Sequence, residues 1–158
     1  MDTNIEFDLG NLKVDQFGYV YKDIEKQAKI MERMFKMPKF NFLPPFTGTT
    51  TYRGKESEIT VKLGFSRYFN LQIELIQWID GECIYKEFLD RGREGFHHIN
   101  CSVKDVESYI NYMKDLGFEI IFSGRAPGAR MFAYFNTEET LGIILEIQGP
   151  LRRRKKKK

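Results

Sequence analysis

Gly95-Phe96-His97-His98-Ile99-Asn100-Cys101-Ser102-Val103-Lys104-Asp105-Val106 holds both histidines of the chain. The apolar and small residues from Phe96 to Val103 read as a strand, and Lys104-Asp105 as the start of a helix. The chain carries this stretch in a second version. Val14-Asp15-Gln16-Phe17-Gly18-Tyr19-Val20-Tyr21-Lys22-Asp23-Ile24-Glu25 aligns with it at a constant offset of 82 residues, so that Gln16 falls on His98 and Lys22-Asp23 on Lys104-Asp105. A further pair, Leu71–Gln77 and Ile143–Gln148, puts Glu74 on Glu146. Internal repetition is settled before any other reading of a fold. Here it places four metal-capable side chains, Gln16, Glu74, His98 and Glu146, at equivalent points of two copies of one unit.

A chain of 158 residues with 42% hydrophobic and 15% aromatic content is one domain's worth of globular protein. No apolar run is long enough for a membrane span, and the polar start Met1-Asp2-Thr3-Asn4 lacks the pattern of a secretory signal. Cys83 and Cys101 are too few for a disulfide framework, and a cytoplasmic location is the simplest expectation. The formal charge of +3 comes from the tail: without the seven basic residues 152–158, 18 Lys and Arg face 22 Asp and Glu. An acidic body argues against a nucleic-acid partner, and the tail from 149 to 158 reads as a solvated, disordered terminus.

The expected order is β-α-β-β-β twice, an α+β chain with modules at 12–78 and 95–148. Asp23 caps a helix over Ile24–Phe35, whose apolar residues recur at three- and four-residue steps. Phe40–Leu43 reads as a short strand, Gly48–Gly54 as a mobile loop, and Glu58–Phe65 and Asn70–Gln77 as strands. A linking helix falls within 79–94, at Glu82–Leu89. In the second module Asp105 caps a helix ended by Gly117. Strands then follow at Phe118–Ser123, Met131–Asn136 and Gly142–Gln148.

Side chains on a strand alternate between its faces. Gln16, Glu74, His98 and Glu146 therefore share one face, while Phe17, Leu75, Ile99 and Ile147 take the other. By the same alternation His97 points away, toward helix or subunit packing. Buried carboxylates need a partner, and a divalent cation can neutralise two at once. One imidazole, two carboxylates and an amide oxygen suit Zn, Ni, Co, Mn or Mg better than a thiolate-seeking ion.

The doubled unit, with Asp15-Gln16-Phe17-Gly18 and His97-His98-Ile99 each followed by Lys-Asp, resembles the vicinal oxygen chelate superfamily over about residues 12–148. That superfamily includes glyoxalases (lactoylglutathione lyases), methylmalonyl-CoA epimerases, extradiol dioxygenases and bleomycin-resistance proteins. The resemblance implies a glyoxalase-like fold, two tandem βαβββ modules closing into a cupped mixed sheet, with metal ligands at Gln16, Glu74, His98 and Glu146. The stretches Leu71–Gln77, Ile84–Leu89 and Gly95–His98 are similar to the epimerase branch, whereas Gln-Glu-His-Glu is the ligand composition of lactoylglutathione lyases. Both branches imply an isomerase or lyase that takes a proton from a carbon next to a carbonyl.

On that resemblance Glu146 is the catalytic base, and Glu56 or Glu58 a second acid/base on the opposite face of the substrate. Arg130, Arg125 and Tyr134 are the substrate-binding candidates, for a small carbonyl compound or an acyl thioester. A homodimer is the expected assembly, with Trp78 and Tyr112 as interface aromatics. Two other readings compete: a non-catalytic binding protein of the bleomycin-resistance type, and an Fe(II) extradiol dioxygenase. The second normally needs two histidines and a carboxylate, and Gln16 replaces one histidine.

Overall fold

The computed structural model describes residues 12–128 and 130–150; the lead-in before residue 12 and tail residues 151–158 lie outside them. The elements are β1 (Val14–Val20), α1 (Ile24–Phe35), β2 (Asn41–Phe42), β3 (Phe46–Tyr52), β4 (Lys55–Tyr68), β5 (Leu71–Asp80), α2 (Ile84–Asp90), β6 (Gly95–Ser102), α3 (Val106–Asp115), β7 (Ile120–Ala126), β8 (Arg130–Phe135), α4 (Glu138–Leu141) and β9 (Ile144–Pro150). Among the described residues no helix is long and apolar enough to cross a membrane.

The strands follow the order β2-β4-β3-β7-β8-β9-β6-β1-β5, and β5 also pairs with β4. The sheet thus curls into a ring that returns on itself. It is mixed, because β1–β5 and β6–β9 are parallel while the other pairs are antiparallel. This is the cupped α+β architecture expected of the doubled sequence.

Strand register bears out the repeat residue by residue. In the antiparallel pair β1–β6, Gln16 faces Asn100, Phe17 faces Ile99 and Gly18 faces His98. Adding 82 to one partner and subtracting it from the other turns the Gln16–Asn100 pair into His98–Gly18. An approximate twofold axis therefore passes through Phe17 and Ile99. In the parallel pairs, Gly18 faces Glu74 as Asn100 faces Glu146.

One expected loop is a strand. Residues 48–52 belong to β3, which pairs with β4 on one edge and, through Thr50–Gly124, Thr51–Ser123 and Tyr52–Phe122, with β7 on the other. Its threonines are β-branched and suit a pleated sheet. Those three pairs close the ring. The short helix α4 was not expected either; it fills the connection from β8 to β9.

Helix α1 forms where the pattern put it, with the Asp23 side chain accepting a hydrogen bond from the Lys26 amide, 3.0 Å. It packs Ile24, Ala28 and Met31 against Ile73 and Leu75 of β5. On the other lobe α3 packs Val106, Ile110 and Met113 against Leu145 and Ile147 of β9. Helix α2 does something different: Ile84, Tyr85 and Phe88 join Val20, Ile59, Ile76, Phe122 and Ile144 in a third cluster, plugging one end of the barrel. Each fully buried side chain of this kind contributes about 1.5–3 kcal/mol.

The aromatics assigned to a dimer interface pack internally. Trp78 lies against the α2 cluster and donates its indole N–H to the Gly81 carbonyl, 2.7 Å; Tyr112 lies against the α3 cluster.

Candidate active site

The inward faces of β1, β5, β6 and β9 carry apolar residues near α2 and polar ones above it. The polar tier begins with His98. Its ring is fully buried, with Nε2 3.5 Å from Oε2 of Glu74 and 3.3 Å from Oε2 of Glu146. These are ion-pair distances without hydrogen-bond geometry, so His98 Nε2 and Glu146 Oε2 are buried without a hydrogen-bond partner. The two carboxylates come from β5 and β9, one from each lobe, as the repeat required.

Electrostatics follows from burial. Desolvation alone would lower the His98 pKa, but the Glu146 and Glu74 carboxylates outweigh it and raise the group to about 9. Desolvation raises Glu74, against the lowering pull of His98. Tyr85 and Tyr134, whose hydroxyls are 2.9 Å apart, are pushed well up by burial and stay neutral. The Tyr134 ring stands edge-on to His98, centroids 5.0 Å apart.

Two cavities meet at the carboxylates. An inner one of about 110 Å³ is lined by Glu74, Glu146, Tyr85, Tyr134 and Arg125 among others. An outer one of about 600 Å³ is lined by Glu74 and Glu146 again, with Gln16, Gln72, Gln148 and Arg130. Gln16 is thus at the mouth of the barrel. Its Nε2 donates to Oε1 of Gln72, 2.7 Å, and among the described hydrogen bonds its side-chain carbonyl oxygen takes part in none. Arg130 stands beside Ser102, with Nη2 3.5 Å from Oγ.

Glu56 is not brought to this site. On β4 the buried Ile59 and Val61 mark the inward parity. Glu56 has the opposite parity, is exposed and faces Thr51 across the pair. It lines neither cavity. A strand offers one face to the interior, and Glu56 is on the other.

His97 packs against a helix, α2, as expected, but from inside the barrel rather than from the opposite face. Gly18 pairs with His98 and the next residue, Tyr19, pairs with Phe96. His97 is the extra residue of a β-bulge, which breaks the alternation and turns two successive side chains inward. It is 2% exposed, among the rings of Tyr85, Phe88 and Tyr134. Its Nδ1 is 3.0 Å from Nδ1 of His98. Burial, then the charges of His98 and Arg93, hold its pKa well below the usual imidazole range, so it is neutral.

Three more residues shape the tier and were missed in the sequence. Gly18 underlies the His98 ring: a Cβ there would sit 1.9 Å from His98 Cε1. Asn100, 2% exposed, lies between Gln16 and Glu146 in register, with Nδ2 unpartnered. Gln72 holds Gln16. Gly18 and Asn100 stand two residues from the proposed ligands, so alternation alone puts them on the same face; the strand register shows that Gly18 lies beside His98 and Asn100 beside Gln16.

As they stand, His98, Glu74 and Glu146 are paired with one another. Among the described residues no group of three or more His, Cys, Asp or Glu is arranged to hold a metal ion. The donor set nevertheless fits a divalent cation. With His98 protonated the trio carries one net negative charge, whereas a neutral His98 with a divalent cation brings the buried cluster to zero. The unpartnered Nε2 and Oε2 are the atoms such an ion would engage.

A family model described as the glyoxalase/bleomycin resistance protein/dioxygenase superfamily matches residues 15–135. Among solved structures, hypothetical protein BH1468 from Bacillus halodurans C-125 is 19% identical, with TM-score 0.65 over 92% of this chain and 99% of that one. Methylmalonyl-CoA epimerase from Mycobacterium tuberculosis is 15% identical, with TM-score 0.63 over 88% of each chain. A single-residue variant of Streptomyces coelicolor methylmalonyl-CoA epimerase, in complex with 2-nitronate-propionyl-CoA, is 13% identical, with TM-score 0.65 over 88% of this chain and 94% of that one. At these identities the structures show a shared fold. A search of curated protein sequences found no match.

Proposed function

The chain belongs to the glyoxalase/bleomycin resistance protein/dioxygenase superfamily, and we propose that it is an isomerase that moves a proton on a carbon next to a carbonyl, with an acyl-CoA thioester as the leading substrate class. The observation that carries this reading is the meeting of His98 with Glu74 and Glu146, buried and drawn from both lobes. The fold shared with methylmalonyl-CoA epimerases supports the substrate class.

Gln16, Glu74, His98 and Glu146 are the residues that would hold a divalent cation, which when bound supplies positive charge to the substrate oxygen where negative charge gathers. The remaining steps belong to the chain. Glu146 takes the proton, its side chain lining both the inner and the outer cavity. Returning a proton to the opposite face needs a second carrier. With Glu56 outside the barrel, Glu74, the other buried carboxylate lining both cavities, takes that role. Tyr85 and Tyr134 close the inner wall against water. Arg130 at the mouth binds an anionic part of the substrate, and Arg125 lies where it can assist.

The Gln-Glu-His-Glu composition favours a second reading, a lactoylglutathione lyase acting on a hemithioacetal. One experiment separates the two. Metal-loaded protein is incubated in heavy water with methylmalonyl-CoA and, in parallel, with the hemithioacetal of methylglyoxal and glutathione. Deuterium entering the carbon beside the thioester carbonyl is the expected result. Turnover of the hemithioacetal alone moves the assignment to the lyase, and no exchange with either substrate overturns the proton-transfer reading.

A further inference from the structure

His97 has no part in the chemistry above, yet its Nδ1 lies 3.0 Å from Nδ1 of His98. Of two imidazole nitrogens in hydrogen-bond contact, one carries the hydrogen and the other the lone pair. The choice has consequences on the far side of His98. If His97 donates, the hydrogen of a neutral His98 sits on Nε2, pointing between the Glu74 and Glu146 carboxylates, and no lone pair is available there. If His98 donates, its Nε2 lone pair faces those carboxylates and the hydrogen of His97 sits on its own Nε2.

We propose that His97 is a positioning residue: as the Nε2–H tautomer it accepts a hydrogen bond from Nδ1–H of His98, fixing the ring with its Nε2 lone pair toward Glu74 and Glu146. The inference rests on the proposed role of His98 as a ligand. Three observations carry it. The bulge in β6 is what brings His97 inward, because regular alternation would have left it on the outer face. The aromatic cage of Tyr85, Phe88 and Tyr134, with centroids at 5.4, 5.0 and 6.4 Å, gives His97 a fixed orientation. Beside Gly18 the His98 ring has no side chain on that strand to hold it, and among the described hydrogen bonds its Nδ1 meets His97. Ligand histidines are generally fixed through their second nitrogen in this manner, and loss of that contact costs roughly 10–100-fold in metal affinity.

The test measures zinc and cobalt(II) affinity by chelator competition for the full chain and for His97→Phe, His97→Asn and His98→Ala, with thermal melts alongside. His97→Phe keeps a ring but removes the acceptor, and a loss of about 10–100-fold is expected. His97→Asn offers a carbonyl oxygen near the lost nitrogen and recovers most of the affinity. Nitrogen-15 spectra of the imidazoles in the zinc-loaded protein, where His98 is neutral, give a readout independent of any variant's folding: His97 should carry its hydrogen on Nε2. Unchanged affinity in His97→Phe, or a hydrogen on Nδ1 of His97, overturns the inference alone, provided that His98→Ala loses metal. If the unmodified protein binds neither metal, the metal-dependent reading falls and takes this inference with it.

Discussion

The two lobes are the same unit turned about one axis, and the differences between them decide what the barrel does. The axis exchanges the ends of the barrel, so a position near α2 in one lobe corresponds to a position at the mouth in the other. Val20 corresponds to Ser102, Ile76 to Gln148 and Ile144 to Gln72. At each pair the apolar member belongs to the α2 cluster, while Gln72 and Gln148 line the outer cavity. Duplication supplied two equivalent sets of side chains; divergence closed one end and opened the other. The ligand candidates diverged with it. His98 is fully buried over Gly18 and held by His97, whereas Gln16 is half-buried, beside Asn100, and held by Gln72.

Glu74 and Glu146 are the pair that diverged least, and replacing each in turn is the strongest way to break the comparison. Glu146→Gln keeps the shape of the side chain and removes the base. Proton exchange should fall by about 10²–10⁴-fold, the usual contribution of a positioned base. Glu74→Gln should fall by less, since burial already disfavours its charged form. Equal losses, read as initial rates of deuterium uptake, would mean that the lobes share the chemistry evenly.

Gly18 and Asn100 are the next pair. A Cβ on residue 18 would lie 1.9 Å from Cε1 and 2.2 Å from Nε2 of His98, so the ring must leave its place. Gly18→Ala should abolish metal binding as His98→Ala does, and overpacking should destabilise the fold by about 1–3 kcal/mol. Asn100→Ala, at the equivalent place in the other lobe, removes an amide whose Nδ2 has no partner. Its cost should stay within about 1 kcal/mol, because little is lost with an unmade hydrogen bond. Urea denaturation with metal titration of both variants checks the contrast. Wild-type binding by Gly18→Ala would mean that the ring does not occupy this position.

What the sequence made legible follows the same division. The offsets of 82 and 72 residues carried over into strand pairing, so Gln16, Glu74, His98 and Glu146 were placed on one face by the repeat alone. Helix α1 was legible to its ends because Asp23 caps it and its apolar spacing is regular. Departures from regularity were not legible. Alternation along β6 puts His97 outside, and nothing in the letters announces the bulge that turns it inward. Gly48–Thr51 has the composition of a loop, yet its threonines pair on both edges once β7 lies alongside. Glu56 was chosen for its chemistry without its strand parity, and parity removed it. Gln72 gained a meaning only through its neighbour across the pair, Gln16.

The lobes also differ in what they titrate, and pH sharpens the comparison further. In metal-free protein the His98 pKa is raised from 6.5 to about 9 in the folded state. The stability this contributes is fully present below about pH 6.5 and is lost as pH rises through about 9, by roughly 1–3 kcal/mol. The raised pKa of Glu74 acts in the same direction, lowering stability as pH climbs above its unfolded value of 4.5. Chelator-treated protein should therefore melt at falling temperature between pH 6.5 and 9. His98→Gln, which gives the second lobe the residue of the first, should flatten that slope. A slope that persists in His98→Gln would assign it to other groups.

The smallest effect is expected at Gln72, and it ranks the two supporting contacts. Gln16 Nε2 donates to Gln72 Oε1 at 2.7 Å, which directs the Gln16 carbonyl oxygen, the candidate donor to a cation, away from Gln72. Gln72→Leu removes that acceptor while filling similar space. The contact is only part-buried, and water at the mouth can replace most of it. A net hydrogen bond of about 0.5–1.5 kcal/mol corresponds to a loss of about 2–10-fold in zinc affinity. His98 has no such substitute, because its Nδ1 is enclosed with His97 among aromatic rings. Chelator competition on Gln72→Leu and His97→Phe under one set of conditions orders the two. If Gln72→Leu weakens binding as much as His97→Phe, the open lobe is as tightly organised as the closed one, and burial is not what separates them.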